Sequence, residues 1–369
     1  MENNIQETTK RRRSPLLVVV MILLLLALAL GAAVFGLWFS GKNAMTQVDT
    51  TPELPVPETP TETTQEDEGD YVHYNGKRYE YNQSMINILL MGIDSTELPG
   101  ESIVSQDQAD VIVLAALDQK NNKITLINIP RDIMCDIDPS AGDGDNTSLI
   151  HAQLALSYAL KSDPTDSCEL TRNTVSNLFF GLPIQGYGAY YMSGIGELND
   201  AVGGVTLTVI ADVDFASQYF ALKQDDGKWK KDYWLWRLTD GNTITLRSYE
   251  VGPYIQYRDT DRVDANEMRM KRQKQYMLAL LSQSKDKFVS DPASILTMYD
   301  AVDDYMVTNL NLNSISYLAT IASKMTLSGD ILSLSGEYVL NETTNNAELY
   351  VDQQALEALM LDVFYTEVP

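Results

Sequence analysis

Residue types able to do chemistry gather at the two ends of one short stretch of this chain. Residues 110–132 open on Asp110 and close on Arg131 and Asp132. Between them lie two apolar runs, Val111 to Leu117 and Ile124 to Ile129, rich in β-branched residues and separated by a polar, Asn-containing turn at 118–123. That is the pattern of an antiparallel hairpin, which sets the start of its first strand beside the end of its second. Asp110 should therefore meet Arg131 and Asp132 at the open end. A further apolar run, Ile86 to Met91, stops three residues before Asp94. Laid parallel to the second hairpin strand, it delivers Asp94 to the same rim. Two carboxylates and a guanidinium group where a buried sheet reaches solvent form a common place for a site; the alternative is that these are simply solvated strand ends.

A second cluster supplies a reason to think of phosphate. Arg258, Arg262, Arg269 and Arg272 fall within fifteen residues of an acidic chain. The segment from Asp264 to about Phe288 reads as a long helix on which Arg269, Arg272 and Gln273, spaced by three and four, share a face. Planar guanidinium groups bind phosphate through paired hydrogen bonds, and several together can hold a pyrophosphate. The competing reading is ion pairing with Asp259, Asp261, Asp264 and Glu267.

These clusters must be positioned by a chain with four parts. Residues 1–15 are polar and end in Lys10-Arg11-Arg12-Arg13; residues 16–39 then hold no charge over 24 positions, enough to span about 30 Å of hydrocarbon. The basic cluster before the span puts the N-terminus in the cytoplasm and the rest outside a plasma membrane, on a single uncleaved anchor. Residues 40–82, rich in Thr, Pro and Glu, are expected to be a disordered stalk, with the tyrosines at 71–81 at its folded end. Residues 83–369 suffice for one large core.

Net charge is −24, from 27 basic and 51 acidic residues, and most of the excess lies beyond the stalk. Such a domain is a poor partner for nucleic acid, and any phosphate site in it must be made locally. Cys135 and Cys168, the only two cysteines, are too few for a four-cysteine zinc site and in an oxidising compartment read as a disulfide. His151 reads as a helix-packing residue. Helices are expected at 148–161, 171–180 (stopping at Gly181) and 194–202 (closing on Gly203-Gly204), with a strand at 205–210. This alternation argues for an α/β fold, a mixed central sheet covered by helices.

With those residues in view, the chain resembles the LytR-CpsA-Psr family of cell-envelope glycopolymer phosphotransferases from about Ile86 onward. The resemblance is carried by INILLMGIDST with Asp94, Ala109-Asp110 before a strand, NIPRD with Arg131 and Asp132, LNDAVGGVTLTV around Asp200, and RMKRQ with Arg269, Arg272 and Gln273. Five pieces in order and at the right spacing make it specific. It implies an α/β/α domain that takes a glycan on a polyprenyl-pyrophosphate carrier, with the lipid tail in an apolar pocket. The glycan phosphate, as of teichoic acid or capsule polysaccharide, would pass to peptidoglycan. Asp94 and Asp110 would hold Mg²⁺, with Mn²⁺ as a substitute, and Arg131, Arg258 and Arg269 would grip the pyrophosphate. Asp132 would orient Arg131 or act as a base.

The chain departs from the family pattern in three places. Gln108-Ala109-Asp110 stands where Arg-Ser-Asp is usual, and Gln256-Tyr257-Arg258 stands where Arg-x-Arg is usual. Asn266 also replaces the customary acid before the helix arginine. Glutamine can donate a hydrogen bond but lacks charge assistance. Either the grip is weaker, or Arg262 and Arg272 supply the missing charge. Two functions follow from the residues: a membrane-anchored phosphotransferase, or a protein of the same fold that binds or senses wall polymer with weakened catalysis.

Overall fold

The computed structural model describes residues 38–46, 50–55, 71–95, 97–101, 107–140, 148–214, 221–223, 229–231, 237–259, 261–262, 264–343 and 345–369. The basic tail and nearly all of the apolar span lie outside the described residues. Among the described residues no helix is long and apolar enough to cross a membrane.

A six-stranded mixed sheet organises the domain. In chain order its strands are β1 (Met85–Ile93), β2 (Ala109–Asp118), β3 (Lys123–Asn128), β4 (Gly186–Tyr191), β5 (Met306–Thr308) and β6 (Thr326–Ser333); in space they run β5-β4-β1-β2-β3-β6. The expected hairpin is β2–β3, and β1 pairs antiparallel to β2, so β1 and β3 run the same way. Alternation along the strands explains their apolar character. Leu89, Met91, Ile93, Ile112, Leu114 and Ala116 enter one core, while Ile86, Ile88, Val113, Ala115 and Leu117 enter another. A strand with both faces covered must be apolar at nearly every position.

Helix α1 (Pro164–Leu178) and the helix Gln353–Phe364 contribute to the first core. Helix α3 (Ala265–Ser290) and the helix Leu312–Ala322 contribute to the second, joined by Trp38 and Met45 from the helical residues 38–46. The result is the expected α/β/α layering. Helix α2 (Ser248–Gln256) and the neighbouring stretch of α3 cover a third core that includes Val205, Leu207, Val209 and Tyr276.

The structure corrects several expectations. The folded chain starts earlier than residue 83, because Tyr71–Tyr74 pairs with Lys77–Tyr81, which in turn pairs with the C-terminal strand Tyr365–Val368 in a three-stranded sheet. Residues 148–161 are not one helix: Ile150–Gln153 is a strand paired with Met134–Ile137, and only Leu156–Ala159 is helical. The four-residue spacing of Ile150, Leu154 and Tyr158 is coincidental, since Leu154 and Tyr158 are buried while Ile150 is exposed. His151 sits on that strand, exposed, with its Nδ1 2.8 Å from Asp136 Oδ1. Helix α1 begins seven residues early because the Asp163 carboxylate caps it, accepting from the Thr165 and Asp166 amides, with Pro164 in its first turn. Shorter versions of the other elements form at Ile195–Ala201 and Thr206–Thr208.

Cys135 and Cys168 are not bonded to each other; both are free, buried thiols. Each is packed as a small apolar side chain in the same core, and Cys135 donates to the Ala152 carbonyl at 3.8 Å. Burial pushes the Cys135 thiol up to about 12, helped by the charge of Asp136, and raises Cys168 as well. Both thiols are therefore neutral and unreactive in the folded chain near pH 8. Alkylation at that pH should spare the native protein yet label two thiols per chain in denaturant without reductant; no labelling in denaturant would restore the disulfide.

Candidate functional site

The hairpin register itself brings Asp110 to Arg131. Val113 pairs with Asn128, and continuing that register three residues toward the open end sets residue 110 opposite residue 131. The Ile129 amide extends the ladder by donating to the Ile112 carbonyl at 2.9 Å. There Arg131 Nη1 donates to Asp110 Oδ1, and Arg131 Nε lies 3.6 Å from Asp132 Oδ1.

Simple alternation would turn Asp110 inward with Ile112, Leu114 and Ala116. A β-bulge prevents this. Gly92 pairs with Val111 but Ile93 pairs with Ala109, which leaves Asp110 as the extra residue. Ala109 takes the buried position, fully covered, and Asp110 is turned to the rim. Gly92 permits the close approach, since a Cβ there would lie 3.1 Å from the Val111 Cβ. Past the bulge, the Asp94 amide donates to the Gln108 carbonyl at 3.2 Å, and Asp94 is exposed just beyond β1.

Electrostatics show which other charges reach this rim. Partial burial lowers Arg131, but the hydrogen bond and charge of Asp110 and the charges of Asp132 and Asp94 outweigh it, so its proton is held more firmly. Arg269 shifts the other way: burial lowers it first, then the positive charges of Arg258 and Arg131, with Asp110 opposing. Arg131, Arg258 and Asp110 thus all act on Arg269. Arg258 stands just past the end of α2, and Arg269 in the second turn of α3.

Three expected phosphate-facing side chains are engaged elsewhere. Arg272 is only 2% exposed. Its guanidinium donates to the backbone carbonyls of Tyr254 (2.9 Å) and Tyr257 and lies 5.9 and 5.6 Å from their ring centres. Gln273 Nε2 donates to the Ile255 carbonyl at 3.2 Å. Together they fasten α3 to the end of α2. Arg262 is exposed and forms a two-pronged pair with Asp264 at 2.8 and 2.7 Å. The charge missing at Gln108 and Gln256 is therefore not replaced by Arg262 or Arg272. Gln256 is exposed at the last turn of α2, and Gln108 lines a cleft of about 350 Å³ beside Arg131 and Asp132. The cleft also takes in Gln153 and the turn residues Asn345 and Asn346, which sequence reasoning missed because they approach only in the folded chain.

A family model described as LytR_cpsA_psr matches residues 56–362. The chain belongs to the LytR-CpsA-Psr family. Among curated relatives it is 31% identical over 124 residues to the polyisoprenyl-teichoic acid–peptidoglycan teichoic acid transferase TagU of Enterococcus faecalis, covering 34% of this chain and 35% of that one. It is 27% identical over 233 residues to TagU of Halalkalibacterium halodurans, covering 63% of each. This chain therefore spans between about a third and just under two thirds of those relatives. Among solved structures, B. subtilis TagV superposes with a TM-score of 0.53 at 22% identity, over 76% of this chain and 96% of that one. Protein gbs0355 of Streptococcus agalactiae gives 0.59 at 21% identity, over 76% and 86%. These likenesses establish the α/β fold.

The different settings of the two helix arginines predict opposite phenotypes. Arg272→Ala removes charged hydrogen bonds and leaves buried carbonyls without donors, so it should destabilise the domain by about 2–4 kcal/mol in urea unfolding. Arg269→Ala relieves repulsion and should leave stability unchanged within about 0.5 kcal/mol or raise it. The reverse ranking would contradict the roles assigned to them.

Proposed function

We propose that this protein is a membrane-anchored phosphotransferase that moves a glycopolymer phosphate from a polyprenyl-pyrophosphate carrier to peptidoglycan at the outer face of the plasma membrane. The observation that carries this reading is the approach of Arg131 and Arg258 to Arg269, with Asp110 hydrogen-bonded to Arg131, in a domain otherwise rich in acid. Like charges held close on a rigid frame are costly unless an anion joins them, and a pyrophosphate supplies two linked phosphates for several guanidinium groups. The relatives named as polyisoprenyl-teichoic acid–peptidoglycan teichoic acid transferases and a structure of TagT bound to LI-WTA support the same class of substrate. The apolar span at 16–39 supports the anchor.

Magnesium fits the donor set. Among the described residues no group of three or more His, Cys, Asp or Glu side chains gathers, but Mg²⁺ binds through one or two carboxylates and completes its shell with water and phosphate oxygens. Asp94 and Asp110 offer two hard oxygen donors at the rim, close enough for both to act on Arg131. When bound, the ion would neutralise phosphate charge. The protein's own part is to hold the pyrophosphate with Arg131, Arg258 and Arg269 and so fix the leaving group for in-line displacement.

One feature favours a second reading, a wall-polymer binding or sensing protein with weakened catalysis. Gln108 and Gln256 stand where family members usually carry arginines, and neither Arg262 nor Arg272 replaces them. Incubation with Mg²⁺ and a glycan-bearing polyprenyl pyrophosphate separates the two, since the enzyme releases polyprenyl phosphate and the binder does not. Arg131→Ala, exposed and in a surface ion pair, should fold normally and lose about 1.5–3 kcal/mol of pyrophosphate affinity. Gln256→Arg should bind more tightly. Asp94→Asn and Asp110→Asn should each abolish release while sparing lipid binding. Unchanged affinity in both arginine-site variants would place the pyrophosphate elsewhere.

A further inference from the structure

The cleft shares Arg131 with the pyrophosphate grip, but Asp94, Arg258 and Arg269 do not line it. Its walls come from segments far apart in sequence. They are the loop carrying Arg131 and Asp132, the strand Ile150–Gln153, and the turn at Asn345–Asn346 that joins the hairpin strands Gly336–Asn341 and Asn346–Val351, with Gln108 completing them. These walls are tied together. The Leu349 amide donates to the Asp132 carbonyl at 2.9 Å, and Ile133 bridges to Leu349. Gln153 Nε2 donates to the Ala347 carbonyl at 2.8 Å and lies 3.4 Å from Asp132 Oδ1. The cleft is thus built by tertiary bonds and does not depend on the chance placement of a loop.

Its chemistry differs from that of the arginine cluster. Gln108, Gln153, Asn345 and Asn346 offer neutral amides, each both donor and acceptor, around one carboxylate and one guanidinium. Such a lining suits the hydroxyl and acetamido groups of a sugar better than phosphate. The volume, about 350 Å³, falls in the range of about 300–1,000 Å³ usual for small-molecule sites. Arg131 belongs to both places: its Nη1 faces Asp110 and the pyrophosphate grip, and its Nε faces Asp132 and the cleft.

We propose that this cleft seats the acceptor glycan and that Asp132 is a catalytic residue, the base for its hydroxyl; this rests on the transferase reading above. The acceptor oxygen attacks the phosphorus that bears the glycan. A new O–P bond forms as the bond from that phosphorus to the bridging pyrophosphate oxygen breaks. The electron pair leaves with polyprenyl phosphate, and the hydroxyl proton passes to the Asp132 carboxylate. Gln153 is a positioning residue that holds Asp132 and the turn at 345–347 in one frame.

Kinetics of the full-length chain in nanodiscs test this, with a short-chain polyprenyl pyrophosphate bearing one N-acetylglucosamine as donor and soluble muropeptides as acceptor. Asp132→Asn should lower kcat by about 10²–10⁴-fold, the usual worth of a general base, with donor Kd unchanged, and Asp132→Glu should recover part of it. Gln153→Ala and Asn345→Gly should raise the acceptor KM about fivefold to tenfold, the worth of one neutral hydrogen bond or slightly more, without altering donor Kd. The glycine preserves the left-handed backbone at Asn345 (φ 57°), and unchanged donor binding confirms that each variant is folded. Weakened donor binding with unchanged acceptor KM would overturn the proposal by assigning the cleft to the donor's sugar, and normal turnover in Asp132→Asn would overturn the base. A wild-type chain that binds donor without releasing polyprenyl phosphate would instead overturn the transferase reading, and the cleft assignment with it.

Discussion

The repulsion that Arg258 and Arg131 exert on the half-buried Arg269 is the constraint that shapes this end of the molecule. Burial and its two neighbours both weaken Arg269's hold on its proton, and Asp110 is the carboxylate that opposes them. Side chains as long as arginine escape such repulsion unless their backbones are fixed. Here the frame is fixed by Arg272 and Gln273, which bind the carbonyls of Tyr254, Tyr257 and Ile255 and lock the start of α3 against the end of α2. The bulge at Asp110 supplies the balancing charge. A positive spot is thereby maintained in a chain whose overall charge is −24.

Much of this was readable from the sequence because it rests on local pattern. The β-branched runs and polar turn of residues 110–132 specify a hairpin, and hairpin geometry alone brings Asp110 to Arg131. The helix bearing Arg269 was equally plain. The separate fates of Arg269 and Arg272 were not, because helical spacing says that two residues share a face but not which one meets buried carbonyls. The bulge is hidden for a similar reason: strict alternation turns Asp110 inward, and only Gly92 near the end of β1 hints at close approach. The disulfide was inferred from compartment and count, yet both cysteines are separate thiols in one apolar core. The strand at 150–153 formed against helical spacing because pairing with Met134–Ile137 outweighs local preference.

The two glutamine departures from the family pattern occupy different surroundings. Gln256 is exposed two residues before Arg258, where the lost charge would weaken the proposed anion grip directly. Gln108 lines a cleft whose other polar side chains are mostly amides, where a neutral group suits a neutral ligand. One substitution therefore bears on affinity for phosphate and the other on the character of the neighbouring surface. The acidic exterior leaves this local arrangement intact, since exposed charges are screened over about 8 Å at physiological salt.

The central claim is that Asp94, Asp110 and the three arginines converge on one metal-bound pyrophosphate. A crystal structure with Mn²⁺ and a short-chain polyprenyl pyrophosphate, read by anomalous scattering, tests it most directly. The expected result is one manganese peak bridging the Asp94 and Asp110 carboxylates to a phosphate oxygen, with Arg131, Arg258 and Arg269 on the remaining phosphate oxygens. Carboxylates more than about 8 Å apart, too far to share an ion at the 2.0–2.1 Å bonds that magnesium makes, or a pyrophosphate bound away from Arg269, would contradict it.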